Sequence, residues 1–199
     1  MYKRYFKPLT DWIIALIALV ILSPLFIITA IAIRIESSGS AFFLQERLGR
    51  FGKTFRVYKF RSMTIVQPKR NSGQQLFEND PRITKVGKFI RKTSIDELPQ
   101  LINIIRCEMS FIGPRPPVTY FPKKYEDYNE FERQRFLVKP GISGLAAIRC
   151  REVHDWSVNI PIDVEYVKNL SFTLDFKLFA ASLLTFFKTD NIYTKSKNS

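Results

Sequence analysis

The stretch WIIALIALVILSPLFIITAIAI, residues 12–33, carries no charged side chain. Its 22 residues would extend about 33 Å as a helix, enough for the hydrocarbon core of a bilayer. Ser23-Pro24 stands near its midpoint. A proline there removes a backbone donor and crowds the preceding turn, so the helix must kink or break. The stretch is too long for a secretory signal, and no small-x-small cleavage site follows it. Both flanks are basic, with Lys3, Arg4 and Lys7 before and Arg34, Arg47, Arg50 and Lys53 after. A crossing helix normally shows Lys/Arg bias on one side only. The residues alone leave two readings open. One is a re-entrant helix-break-helix over residues 1–36 with both ends on the cytoplasmic face; the other is a single kinked span.

The remainder, residues 37–190, is long enough to build a core of its own. The 199-residue chain has 31 Lys+Arg against 18 Asp+Glu and a formal charge of +13, which calls for an anionic partner without saying which. Cys107 and Cys150 show no CxxC spacing, and His154 is the single histidine, so neither a standard zinc site nor a disulfide framework is expected. Both thiols are expected to be reduced and buried.

Residues 41–63, AFFLQERLGRFGKTFRVYKFRSM, predict two short strands around a turn at 48–53. The second half is dense in cations, among them Lys59 and Arg61. Residues 65–83 are polar and read as a mobile surface loop. A helix is expected from about Pro99 to Cys107. In MSFIGPRPPVTY, residues 109–120, Gly113, Pro114, Pro116 and Pro117 forbid regular helix and stiffen the backbone around Arg115. A guanidinium on such a loop has little entropy left to lose on binding phosphate. KPGISG, residues 139–144, reads as another turn. Residues 171–189 form a helix with a polar stripe (Ser171, Asp175, Ser182, Thr185, Thr189) among phenylalanines, suited to a membrane interface or to closing the core. Residues 191–199 read as a flexible tail.

The sharpest chemical signal is the acidic pair Asp96-Glu97 in KTSIDELPQLINII, residues 92–105, preceded by Lys85, Lys88, Arg91 and Lys92. Ser94-x-x-Glu97 matches a capping box, but Pro99 cannot donate to the carbonyl of Ile95; with Asp96 as the cap, Pro99 would fall harmlessly in the first turn. Capping and catalysis both remain open on local rules. A helix start and nearby Arg91 would keep Asp96 ionised at neutral pH. A carboxylate can hold Mg²⁺ together with substrate phosphates, and it can attack phosphorus to give an acyl phosphate.

Taken in order, the Ser23-Pro24 segment, YKFRSM, RKTSIDELPQLINII, MSFIGPRP and KPGISG resemble the bacterial sugar transferase family, in particular its small monotopic phosphoglycosyl transferases. The likeness runs over residues 1–188. It implies an α+β fold, a re-entrant membrane hairpin followed by a small cytosolic α/β domain with amphipathic interface helices. It implies transfer of a sugar 1-phosphate from a UDP-sugar to polyprenyl (undecaprenyl) phosphate with Mg²⁺, at the cytoplasmic face of the bacterial inner membrane, at the start of glycoconjugate assembly. Carried over by motif, Asp96 is the nucleophile and Glu97 assists it or positions the metal. Arg91 and Arg115 hold phosphate, Lys59 and Arg61 shape the pocket, and Arg151 and Asp175 align with family positions. The stretch GLAAIRCRE, residues 144–152, departs from the pattern of many members. The expected partners are the nucleotide sugar, the lipid phosphate, the bilayer and a second copy as a homodimer, with no nucleic acid. The rival readings are a membrane-bound Mg²⁺-dependent diphosphate hydrolase and a non-catalytic, membrane-tethered basic module.

Overall fold

A computed structural model describes residues 1–64, 80–150 and 155–187. A long helix α1 (Lys7–Glu36) is followed by an antiparallel hairpin of β1 (Phe42–Leu48) and β2 (Thr54–Phe60), with Phe42 opposite Phe60 and Leu48 opposite Thr54. The hairpin expected from the alternating, turn-bounded sequence is therefore present. Next come α2 (Lys85–Lys92), a 3₁₀ turn at Ile95–Glu97, α3 (Gln100–Ile105) and the short strand β3 (Ser110–Ile112). The chain continues through α4 (Glu130–Arg133), β4 (Gly141–Ser143), α5 (Leu145–Arg149), α6 (Trp156–Lys168) and α7 (Phe172–Phe187).

Where a helix-break-helix is expected over residues 1–36, the backbone forms one helical run, α1, with Pro24 inside it. Proline cannot donate to the carbonyl of Val20, and the Ser23 hydroxyl donates to that same oxygen instead, at 2.8 Å. One stripe of α1 packs on the rest of the protein: Ala15, Ala18, Leu19, Leu22 and Phe26 against α3 and β2, and Ala30 and Ile33 against Phe60 and Ile90. This is the three-and-four spacing of a single helix face. The opposite face stays bare, with Val20, Ile21 and Ile28 each more than 60 % exposed. By length and composition the segment could cross a membrane.

Residues 139–144, read as a turn from their Pro and Gly content, instead supply a strand. β4 pairs in parallel with β3, Ser110 opposite Gly141 and Ile112 opposite Ser143. The two segments touch backbone to backbone: a Cβ on Gly141 would sit 2.2 Å from the nitrogen of Gly113, so only glycine allows the approach. In helix α7 two residues of the polar stripe face inward, where Asp175 receives the Tyr2 and Tyr166 hydroxyls and Ser182 donates to Ser143. Its aromatics Phe172 and Phe176 are 64 % and 63 % exposed. The thiols are free, as expected, but they are not buried. Cys107 is exposed in a left-handed turn (φ 60°) just past α3, and Cys150 is half-buried. The polar loop at 65–79, His154 and the tail at 191–199 lie outside the described residues.

Candidate active site

The acidic pair lies between two helices rather than at a helix cap. Helix α2 ends at Lys92, and Ser94 then reverses the chain in a left-handed conformation (φ 54°). Ser94 makes no side-chain capping bond, so the capping box read from the sequence does not form. Asp96 does not cap α3 either, because Pro99 occupies that position without any side-chain bond. A bend through αL at a non-glycine residue costs of order 1 kcal/mol or more. Its result here is one tight turn that presents Asp96 and Glu97 together.

Three elements bring cations to that turn. β2 carries Lys59, whose Nζ lies 2.6 Å from Glu97 Oε1. The position of this strand is set by Asn103 of α3, fully buried, which accepts from the Tyr58 amide and donates to the Arg56 carbonyl. α2 carries Arg91, whose Nε donates to Ser62 Oγ at 2.7 Å, while its charge acts on Asp96. The loop after β3 carries Arg115, exposed between the buried Pro114 and Pro116. Among the described residues the Arg115 guanidinium has no hydrogen bond or ion pair, so it is open to a ligand while its charge reaches Glu97.

These charges divide the pair. Burial, and then the neighbouring Glu97, push the Asp96 carboxyl up to about 6, against the pull of Lys59 and Arg91. Burial opposes ionisation of Glu97 too, but Lys59 and Arg115, with help from Arg47, outweigh it and hold Glu97 below the usual carboxylate range. Glu97 is thus the fixed counter-anion of the cations. Asp96 is ionised at neutral pH and less stabilised in that form, which suits a nucleophile better than a structural anion.

The other residues read from the sequence go elsewhere. Arg61 is buried, and its guanidinium donates to the carbonyls of Ser37 and Ser38 at the end of α1. Asp175 is buried against the start of α1, 2.8 Å from Lys7 Nζ, and is not among the charges acting on Asp96. Arg151 lies outside the described residues. Sequence reasoning placed Arg47 only in a basic flank, yet it belongs to this site. Burial and the nearby Arg115 hold its guanidinium down to about 10. Strand register was the available signal, because Phe43, Gln45 and Arg47 oppose Lys59, Val57 and Phe55 and so share one face of the hairpin.

Among the described residues no three His, Cys, Asp or Glu side chains form a metal cage. Asp96 and Glu97 are an adjacent pair of hard oxygen donors. Such a pair fits Mg²⁺, which takes one or two carboxylates and completes its shell with water and substrate phosphates.

Comparison with known proteins points to one family. The family model described as bacterial sugar transferase matches residues 2–189. The UDP-N-acetylgalactosamine-undecaprenyl-phosphate N-acetylgalactosaminephosphotransferase of Aeromonas hydrophila is 41 % identical over 168 residues, covering 83 % of this chain and 40 % of that protein. The UDP-glucose:undecaprenyl-phosphate glucose-1-phosphate transferase of Klebsiella pneumoniae is 38 % identical over 190 residues, 92 % of this chain and 40 % of its own. An uncharacterized sugar transferase of Bacillus subtilis (strain 168), EpsL, is 41 % identical over 173 residues, with 86 % and 82 % covered. The chain therefore spans about two fifths of the first two relatives and about four fifths of the third.

Proposed function

This chain belongs to the bacterial sugar transferase family, and from that premise we propose that it transfers a sugar 1-phosphate from a UDP-sugar to undecaprenyl phosphate through a covalent intermediate on Asp96. The observation that carries the reading is the division of the acidic pair, a charged Glu97 tied to Lys59 beside an Asp96 held near pH 6 by its surroundings. In the first half-reaction an Asp96 oxygen attacks the sugar-bearing phosphorus. A P–O bond to the bridging oxygen breaks, and nucleoside monophosphate leaves with the electron pair. In the second, an oxygen of the lipid phosphate attacks the same phosphorus, releasing the lipid diphosphosugar and restoring the carboxylate. Arg115 and Arg91 receive the phosphate charge, and Lys59 keeps Glu97 from repelling it. Mg²⁺ held by Asp96 and Glu97 would neutralise diphosphate charge.

The same reading places the protein at the cytoplasmic face of the inner membrane, with α1 entering and leaving on one side. Its support is that both ends of α1 bond to one body. Near the start, Lys7 pairs with Asp175 and Asp11 accepts from Ser110. At the end, Glu36 accepts from the Lys85 and Val86 amides, and Arg61 holds Ser37 and Ser38. A straight crossing would separate these ends by about 45 Å, on opposite faces of the bilayer.

The test is a panel of UDP-sugars, radiolabelled in the sugar, incubated with membranes and undecaprenyl phosphate. Label should move into the organic phase only with the lipid present. Release of sugar phosphate into water at the same rate with or without lipid would favour a hydrolase instead.

A further inference from the structure

We infer that Arg47 and Arg135 are positioning residues that lock the backbone beneath Arg115, so that a single guanidinium is presented rigidly to substrate phosphate. The inference rests on the functional reading above. Its basis is the hydrogen bonding of the GPRPP loop. Pro114, Pro116 and Pro117 have no amide to donate, so beyond the Gly113 amide, which donates to Ser143 at 2.9 Å, the loop is fixed through its carbonyls. All four consecutive carbonyls are taken. Pro114 accepts from the Gly141 amide at 3.0 Å and Pro117 from the Leu48 amide at 2.9 Å. Arg115 accepts from Arg135 Nη2 at 2.8 Å, and Pro116 from Arg47 Nη1 at 2.9 Å.

The two arginine donors are themselves immobilised. Arg47 spends its other edge on Gln45, with Nε and Nη2 both on Oε1 at 3.2 and 2.6 Å. Arg135 is 1 % exposed and paired with Asp163 through Nη2 at 2.6 Å and Nε at 3.2 Å. It also lies over the rings of Phe136 and Trp156, each 5.2 Å from its guanidinium carbon. A buried pair of this kind is seldom a gain in stability over apolar residues of the same volume. What it provides here is a charged donor on the Arg115 carbonyl, one residue from the carbonyl that Arg47 holds. The four carbonyls are held while the Arg115 side chain is exposed. Displacement of a binding group by about 1 Å can cost two orders of magnitude in rate, which is the scale such a clamp protects.

The test is a double-mutant cycle read by UDP binding to purified full-length protein, together with hydrogen exchange. Arg115→Ala should weaken UDP binding by about 10–100-fold, the range for a charge-assisted contact. Arg47→Gln should weaken it by about 3–10-fold alone but by no more than about twofold in the Arg115→Ala background, because its effect on UDP runs chiefly through Arg115. Arg47→Gln should also speed exchange across residues 111–121, leaving α3 and α6 unchanged. The apolar swap Arg135→Met with Asp163→Leu, which keeps the core filled, should likewise weaken UDP binding and speed exchange across residues 111–121 while leaving α3 unchanged. Lys124→Ala, on the exposed surface, should change neither. Full multiplication of the losses in the double variant, or unchanged exchange in both clamp variants, overturns the inference. Wild-type protein that binds no UDP would instead sink the functional reading, and the exchange result would still judge the clamp.

Discussion

Replacing Asp96 with Asn should abolish turnover and make the protein more stable. The carboxyl is held near 6 in the folded state against an ordinary value of 3.8, so its ionised form is disfavoured by folding. The folded state therefore binds more protons than the unfolded state between those values, and stability falls as pH rises through that window, levelling off above about 6. The shift of about two units has a ceiling of about 3 kcal/mol at pH 7.5. Partial solvent access and coupling to Glu97 reduce the expected gain on removing the charge to about 1–2 kcal/mol. For a chain of this size that is a rise of about 2–8 °C in Tm at pH 7.5. At pH 4.5 the wild-type group is protonated when folded, and the gain should shrink to about a third. Thermal scans of both proteins in one detergent at the two pH values measure this directly. A destabilised Asp96→Asn protein that still turns over would show that Asp96 is part of the scaffold, and the electrostatic reasoning would be refuted.

Further outcomes follow from other parts of the structure. The kcat/KM for nucleotide sugar should fall with a slope of one as pH drops through about 6, since the reactive form of Asp96 is the ionised one; a flat profile from pH 5 to 8 counts against it. Gly141→Ala places a methyl carbon 2.2 Å from the Gly113 nitrogen, so it should cost about 3 kcal/mol or more and loosen the Arg115 loop, read as lost Tm and lost UDP binding. Single cysteines at Lys3 and Ser38, in a Cys107→Ser, Cys150→Ser background, should both resist an impermeant thiol reagent on intact cells and both react after permeabilisation. Labelling of one end alone on intact cells contradicts entry and exit on one face.

Local chemistry made much of this legible in the sequence. The β1–β2 hairpin was visible because alternation and a glycine turn fix it within 20 residues, and Asp96-Glu97 stood out because two carboxylates among cations are unusual. Composition could not show which cations converge. Arg61 and Lys59 lie two positions apart in the same run, yet one is spent on the exit of α1 and the other on Glu97. That difference depends on packing between distant segments. Arg47 escaped notice for the same reason, since its partners Pro116 and Arg115 are far along the chain. The parallel pairing of β3 with β4 was hidden by the Pro-Gly content of KPGISG, which locally says turn.

The covalent step can be observed directly by intact mass. Purified enzyme with Mg²⁺ and its nucleotide sugar, but no lipid phosphate, should gain the mass of one sugar phosphate and release one equivalent of nucleoside monophosphate. Peptide mapping should place the adduct on Asp96, undecaprenyl phosphate should discharge it, and the Asp96→Asn protein should show none. An enzyme that turns over with lipid present, yet never carries the adduct and releases no monophosphate in its absence, would contradict nucleophilic catalysis by Asp96.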